Sequence, residues 1–262
     1  MRTIIASFIS IFLVCAALQA QWVKVPPANI PRTRDGKPNL TAPAPRLPDG
    51  KPDLSGVWTP ANTYAGKPQN FAADLKIKKV PFRPWAKALF DERKTGVHSK
   101  EDPSAQCLPQ GVPRVDAAPG QWRLVQTPGF IAIIYEAFET LWRQIFLDGR
   151  ELEEGAPPTW LGYSTGKWNG DTLVVDTKGF NGKVWLDLMG KPSTEALHVI
   201  ERFRRKDFGH MDIQITIDDP KAYTKPWTVM EHVRLLPDTE LMEAICNENN
   251  RDLDHLPGDN LQ

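Results

Sequence analysis

From Gln121 onward, short runs of apolar and β-branched residues alternate with polar ones and are separated by turn signals. A period of two is that of strands with one buried face. The pattern predicts strands at about 122–127, 130–137, 140–147, 161–168, 172–178, 196–205, 210–217, 226–236 and 240–246. Asp148-Gly149 and Asn169-Gly170-Asp171 are hairpin signals, and Asp207-Phe208-Gly209 and Pro237-Asp238-Thr239 fit tight links. Short links make consecutive strands antiparallel. The expectation is a mainly β fold, an antiparallel meander that closes into an up-and-down barrel. A two-sheet β-sandwich is the alternative.

Ahead of the meander the pattern differs. Residues 21–54 are proline-rich, without apolar periodicity, and contain the near-repeat Asp35-Gly36-Lys37-Pro38-Asn39-Leu40 and Asp49-Gly50-Lys51-Pro52-Asp53-Leu54. Each unit is a turn followed by an extended step, so the segment reads as an extended arm that crosses the domain surface or stays mobile. Residues 54–58 open the folded part as a strand, and 60–80 look loop-like. One helix is expected over 84–94, with Pro84 in its first turn, apolar residues at 85, 86, 89 and 90, and Gly96 past its end. Residues 97–120 read as loop. The organisation expected is a leader at 1–20, the arm at 21–54, a first strand, helix and loops at 55–120, the meander at 121–250 and a tail at 251–262.

Splitting each strand into its two faces isolates the polar residues that matter. Leu141, Arg143, Ile145 and Leu147 share one face, and Leu197, Val199, Glu201 and Phe203 share another. Arg143 and Glu201 are charges in apolar rows. Such charges either pair with each other and fix the barrel, or line a cavity where they hold a ligand carboxylate or carry a proton. His210 and Asp212 share a strand face, with His232 as the one donor on a later strand, too few for a metal, so no metal and no cofactor are expected. No nucleophile elbow, phosphate loop or dinucleotide fingerprint is present. Nine tryptophans could line a cavity or serve as core and arm anchors.

Composition narrows the setting. The 32 basic and 32 acidic residues cancel, which leaves no electrostatic reason to bind nucleic acid. A single Arg2 precedes the apolar run from Ile4 to Leu18, and Ala20 stands where a signal peptidase would cut, so the start reads as a secretory signal peptide with no membrane insertion after cleavage. Cys15 would leave with it. Cys107 and Cys246 then form a disulfide in an oxidising compartment, periplasmic or secreted.

Two resemblances add to this. Gly56-Val57-Trp58 at the first strand looks like the G-x-W opening of lipocalins. The phrases at 49–58, 168–177, 196–203 and 218–227 resemble a large family of secreted bacterial proteins abundant in acidobacteria. That resemblance implies export and a common fold and no mechanism. It places His198, Glu201, Arg202, Tyr223 and Trp227 inside recurring phrases. The candidate residues are therefore Glu201 and His198 for catalysis, and Arg143, Tyr135, Arg202, Tyr223 and Trp227 for ligand binding. Three functions fit: a barrel that binds a small apolar or amphipathic molecule; an isomerase, lyase or hydrolase using Glu201 as general acid/base; and an interaction module that engages a partner or a second copy through the arm.

Overall fold

The computed structural model describes residues 29–61, 80–136, 141–153, 155–248, 250–251 and 253–259. The leader at 1–20 and most of the stretch at 60–80 lie outside these residues. Nine strands form one closed barrel in sequence order. They are β1 (Gly56–Pro60), β2 (Trp122–Thr127), β3 (Phe130–Tyr135), β4 (Trp142–Phe146), β5 (Tyr163–Asn169), β6 (Thr172–Lys178), β7 (His198–Arg205), β8 (His210–Asp218) and β9 (Trp227–Leu235). The expected barrel forms, and the sandwich does not.

Eight of the nine neighbour contacts are antiparallel, and the contact between β4 and β5 is parallel. Parity requires this. Strand direction must return to its starting sense around a closed ring, so an odd number of strands needs at least one parallel pair. The expected hairpin at Asp148-Gly149 is therefore corrected: it begins a crossover over 147–162 instead. The parallel seam is thin, with two residue pairs, Ile145–Ser164 and Phe146–Thr165. Gly166 lets the strands close up there, since a Cβ on it would lie 2.7 Å from the Leu147 side chain.

The expected strand at 240–246 is absent as well. Trp58, Thr59 and Pro60 of β1 pair with Leu235, Arg234 and Val233 of β9. That pairing closes the ring and leaves no free edge for a further strand. The described residues between 240 and 259 instead run over the surface as a tail, tied down by the Cys107–Cys246 disulfide, with Cα atoms 5.6 Å apart, and by the Lys100 N–H, which donates to the Pro257 carbonyl at 2.8 Å.

Inward residues fill the barrel. Trp58, Trp122, Leu124, Ile131, Ile133, Leu173, Val175, Phe203, Met211, Ile213 and Ile215 are almost wholly buried. Both ends are covered. At one end lie α1 (Pro84–Arg93), α2 (Arg114–Ala117) and the connection at 179–197. The Trp85 indole donates to the Lys221 carbonyl at 2.8 Å and holds α1 against the β8–β9 link. Pro84 starts α1 and Gly96 follows it at φ +86°, as the sequence led one to expect.

The arm crosses the other end, and its repeat is longer in space than in sequence. Residues 31–40 and 45–54 fold into the same small loop. Thr33 N donates to Lys37 O at 2.9 Å, as Leu47 N does to Lys51 O at 2.8 Å. Asn39 N reaches Pro31 O as Asp53 N reaches Pro45 O. Each unit then clips to the barrel through its arginine. Arg46 makes two bonds to Asp171 in the β5–β6 turn, at 2.9 and 2.6 Å. Arg32 pairs with Asp238 beyond β9 at 3.1 Å. Between the clips, Gly209 N donates to Leu40 O at 2.7 Å. A side chain at position 209 would collide with Leu40.

The disulfide closes a span of 139 residues, and a cross-link over so long a loop restricts the unfolded chain strongly. Replacing both cysteines by serine should lower the unfolding free energy by about 2–4 kcal/mol in urea melts. A variant as stable as the parent would show that the tail contributes nothing through this bond.

Candidate functional site

Alternation along β4 and β7 turns Arg143 and Glu201 inward, and there they meet. Arg143 is 2% exposed and uses all five of its guanidinium N–H groups. Nε donates to Ser164 Oγ at 3.1 Å. Nη1 donates to Asp116 Oδ2 at 3.0 Å and Glu201 Oε1 at 3.2 Å. Nη2 donates to Thr177 Oγ1 at 2.9 Å and to Glu201 Oε2. Tyr135, from β3, donates its hydroxyl to Asp116 Oδ1 at 2.5 Å. One guanidinium thus joins β4, β5, β6 and β7 to α2, and through Asp116 to β3.

Two carboxylates face this one cation. Burial, then the charge of Glu201, pushes the Asp116 carboxyl up to about 8, while Arg143 and the Tyr135 hydroxyl pull it down. Burial also works against the charge on Arg143, but Glu201 and Asp116 outweigh it and hold the guanidinium protonated. The Tyr135 hydroxyl is raised well above its ordinary value, first by burial and then by Asp116. The cluster is a closed network. Both Glu201 oxygens are on Arg143, and Glu201 is fully buried. Of the two readings of these charges, the paired one describes the geometry.

The other candidate residues lie apart from this cluster. His198 sits on the outward face of β7, where its Nε2 is 2.8 Å from Asp176 Oδ2. An odd spacing from Glu201 puts the two side chains on opposite sides of the wall. Arg202 also faces outward. Tyr223 and Trp227 pack edge to face, 5.4 Å between ring centroids, under the covered end, and the Tyr223 hydroxyl donates to Pro192 O at 2.8 Å. His210 Nδ1 is 2.7 Å from Asp207 and His232 Nδ1 is 2.6 Å from Asp212. Among the described residues no group of three His, Cys, Asp or Glu could hold a metal ion.

Open space lies outside the wall, at the parallel seam. Where β4 and β5 part, a groove of about 380 Å³ is lined by Leu141, Trp142, Phe146, Trp160, Leu161 and Tyr163. Its floor reaches Arg143 and Ser164, so the bond between them closes the wall beneath it. Trp142, the first residue of β4, points outward and is 64% exposed. A second groove of about 490 Å³ runs over the outer face of β5 and β6 beneath residues 150–152, and Tyr163 lines both.

The pH dependence of stability follows from Asp116. An unfolded Asp releases its proton near 3.8, whereas the folded one holds it to about 8. Between these values the folded chain binds more protons, so this group's contribution is complete below 3.8 and is lost as pH rises through about 8. Urea melts from pH 5 to 9 should show the parent losing stability relative to Asp116→Asn. Parallel curves would mean that Asp116 is ionised in the fold. Arg143→Met leaves the buried Glu201 carboxylate and the Asp116 carboxyl without their cation and should cost about 3–5 kcal/mol.

No family model matches the sequence, and no curated protein matches it. Among solved structures, the chain is similar to the REP1-NXSQ fatty acid transporter, at 17% identity, a TM-score of 0.36, and coverage of 72% of this chain and 98% of that one. It is also similar to the wild-type fluorescent protein UnaG, at 16% identity, a TM-score of 0.34, and coverage of 70% and 97%. At these values neither protein bears on the reading of the site.

Proposed function

We propose that the protein binds a small apolar or amphipathic molecule on the outer wall of its barrel, in the groove at the β4–β5 seam. The observation that carries this is the aromatic lining. Trp142, Phe146, Trp160 and Tyr163 gather around a groove of about 380 Å³, a volume within the range of small-molecule sites. An outward tryptophan that is 64% exposed buries only a minor part of its ring in the fold and offers a large, rigid contact surface to a ligand. The lumen is the less suitable place, because buried side chains occupy it from Trp58 to Ile215.

In this reading Glu201 serves the fold, with both oxygens held by Arg143. The same reading places the protein in an oxidising compartment, periplasmic or secreted. The Cys107–Cys246 bond favours such a compartment, and the apolar run from Ile4 to Leu18 reads as its export signal.

N-phenyl-1-naphthylamine, a neutral aromatic probe, should quench tryptophan emission on titration and gain its own fluorescence. Trp142→Ala should weaken its binding about tenfold, equivalent to about 1.4 kcal/mol, and leave the melting temperature unchanged because the side chain is exposed. Equal affinity in parent and variant would place the probe elsewhere and remove the basis for the seam site.

A further inference from the structure

The wall next to the seam groove carries a feature that the apolar lining does not explain. Tyr163 borders both outer grooves. Across the β5–β6 ladder its partner is Lys178, so the two side chains leave the same face of the sheet side by side. On its other side, the Tyr163 ring stacks on Phe146 at 5.3 Å between centroids. The Arg150 guanidinium lies 4.1 Å over that Phe146 ring and lines the second groove together with Tyr163. Two cations therefore flank the residue at which the apolar groove meets the polar one.

Resting on the seam-groove reading, we infer that the bound molecule is an amphipathic anion, with its apolar body against Trp142 and Trp160 and a single charged head beside Tyr163, met by Lys178 and Arg150.

The two cations have different duties. Arg150 is already engaged, since its Nε and Nη2 are on Asp148 at 2.6–3.0 Å. It caps the aromatic stack and supplies a fixed positive edge. Lys178 is loosely held. Among the described residues it pairs with Asp176 at 3.6 Å, and Asp176 is itself bonded to His198 at 2.8 Å. Lys178 is 55% exposed at its side chain and free to turn toward a ligand. The acidic neighbours also set the number of charges. Glu151 and Asp176 line the second groove with Arg150, Lys167 and Lys178, and Asp148 stands behind Arg150. With three cations and two carboxylates, the lining lacks the positive excess to hold a polyanion and suits one anionic group at one point. The chemistry that fits is a monovalent carboxylate or sulfonate on an aromatic or aliphatic body.

A matched pair of probes tests this. 8-Anilinonaphthalene-1-sulfonate and N-phenyl-1-naphthylamine share an aromatic body and differ by the sulfonate. Each is titrated into the full protein, Lys178→Gln and Trp142→Ala, at low and high salt. The expected result is that the parent binds the sulfonate about fivefold more tightly than the neutral probe, the scale of one partly exposed charge contact. Lys178→Gln should abolish that preference without changing affinity for the neutral probe, and high salt should reduce it. Trp142→Ala should weaken both probes. Equal affinity of the parent for the two probes, or a preference that survives in Lys178→Gln, overturns the anionic head and leaves the groove standing. Both probes binding Trp142→Ala as they bind the parent, or neither binding the parent, overturns the groove and this inference together.

Discussion

The guanidinium of Arg143 is the constraint on which this barrel turns. A cation in an apolar interior is tolerable only if its hydrogen bonds are complete and its charge is matched. Here Ser164, Thr177, Asp116 and Glu201 complete them. Each acceptor comes from a different element, so satisfying one side chain fixes the relative positions of β4, β5, β6, β7 and α2. A second carboxylate beside one cation is costly, and burial together with the charge of Glu201 accordingly shifts the Asp116 carboxyl upward. The network stands or falls as a unit, because removing any member leaves another buried polar group unmatched.

Its position matters as much as its completeness. The ring of strands is weakest where β4 and β5 run parallel with two residue pairs between them. The Arg143–Ser164 bond spans that seam from within, and the Phe146–Tyr163 stack spans it from outside. Between these two bridges the strands diverge and leave the aromatic groove. An arrangement that holds the wall together and one that offers a binding surface are thus two faces of one topological necessity.

Much of this was legible in the sequence, and the gaps have physical causes. The period of two put Arg143 and Glu201 on inward faces and left their pairing as one of two readings. The same period separates His198 from Glu201, so they could not have shared a site. Asp116 was hidden because residues 97–120 have no periodicity. The available signal was two charges, Arg114 and Asp116, inside the apolar run from Val112 to Ala118. Asp148-Gly149 does form a turn, with Gly149 at φ +83°, but turn chemistry says nothing about which strand the chain pairs with next. The apolar residues at 240–246 resemble a strand locally and lose to a ring already closed by β9 and β1. The outer grooves depend on how the crossover lies, which no local pattern encodes.

The duplicated arm has a consequence for how the covered end of the barrel comes undone. Each unit closes its own backbone bonds and carries its own arginine clip, Arg32 on Asp238 and Arg46 on Asp171. Neither loop's internal bonds depend on the other. Fraying from the N-terminal side therefore proceeds stepwise, one loop at a time, with the Leu40 contact at Gly209 as the stop between them. Such a cover is graded rather than all-or-none, and it can lose its outer half while the strand ends beneath the inner half stay shielded.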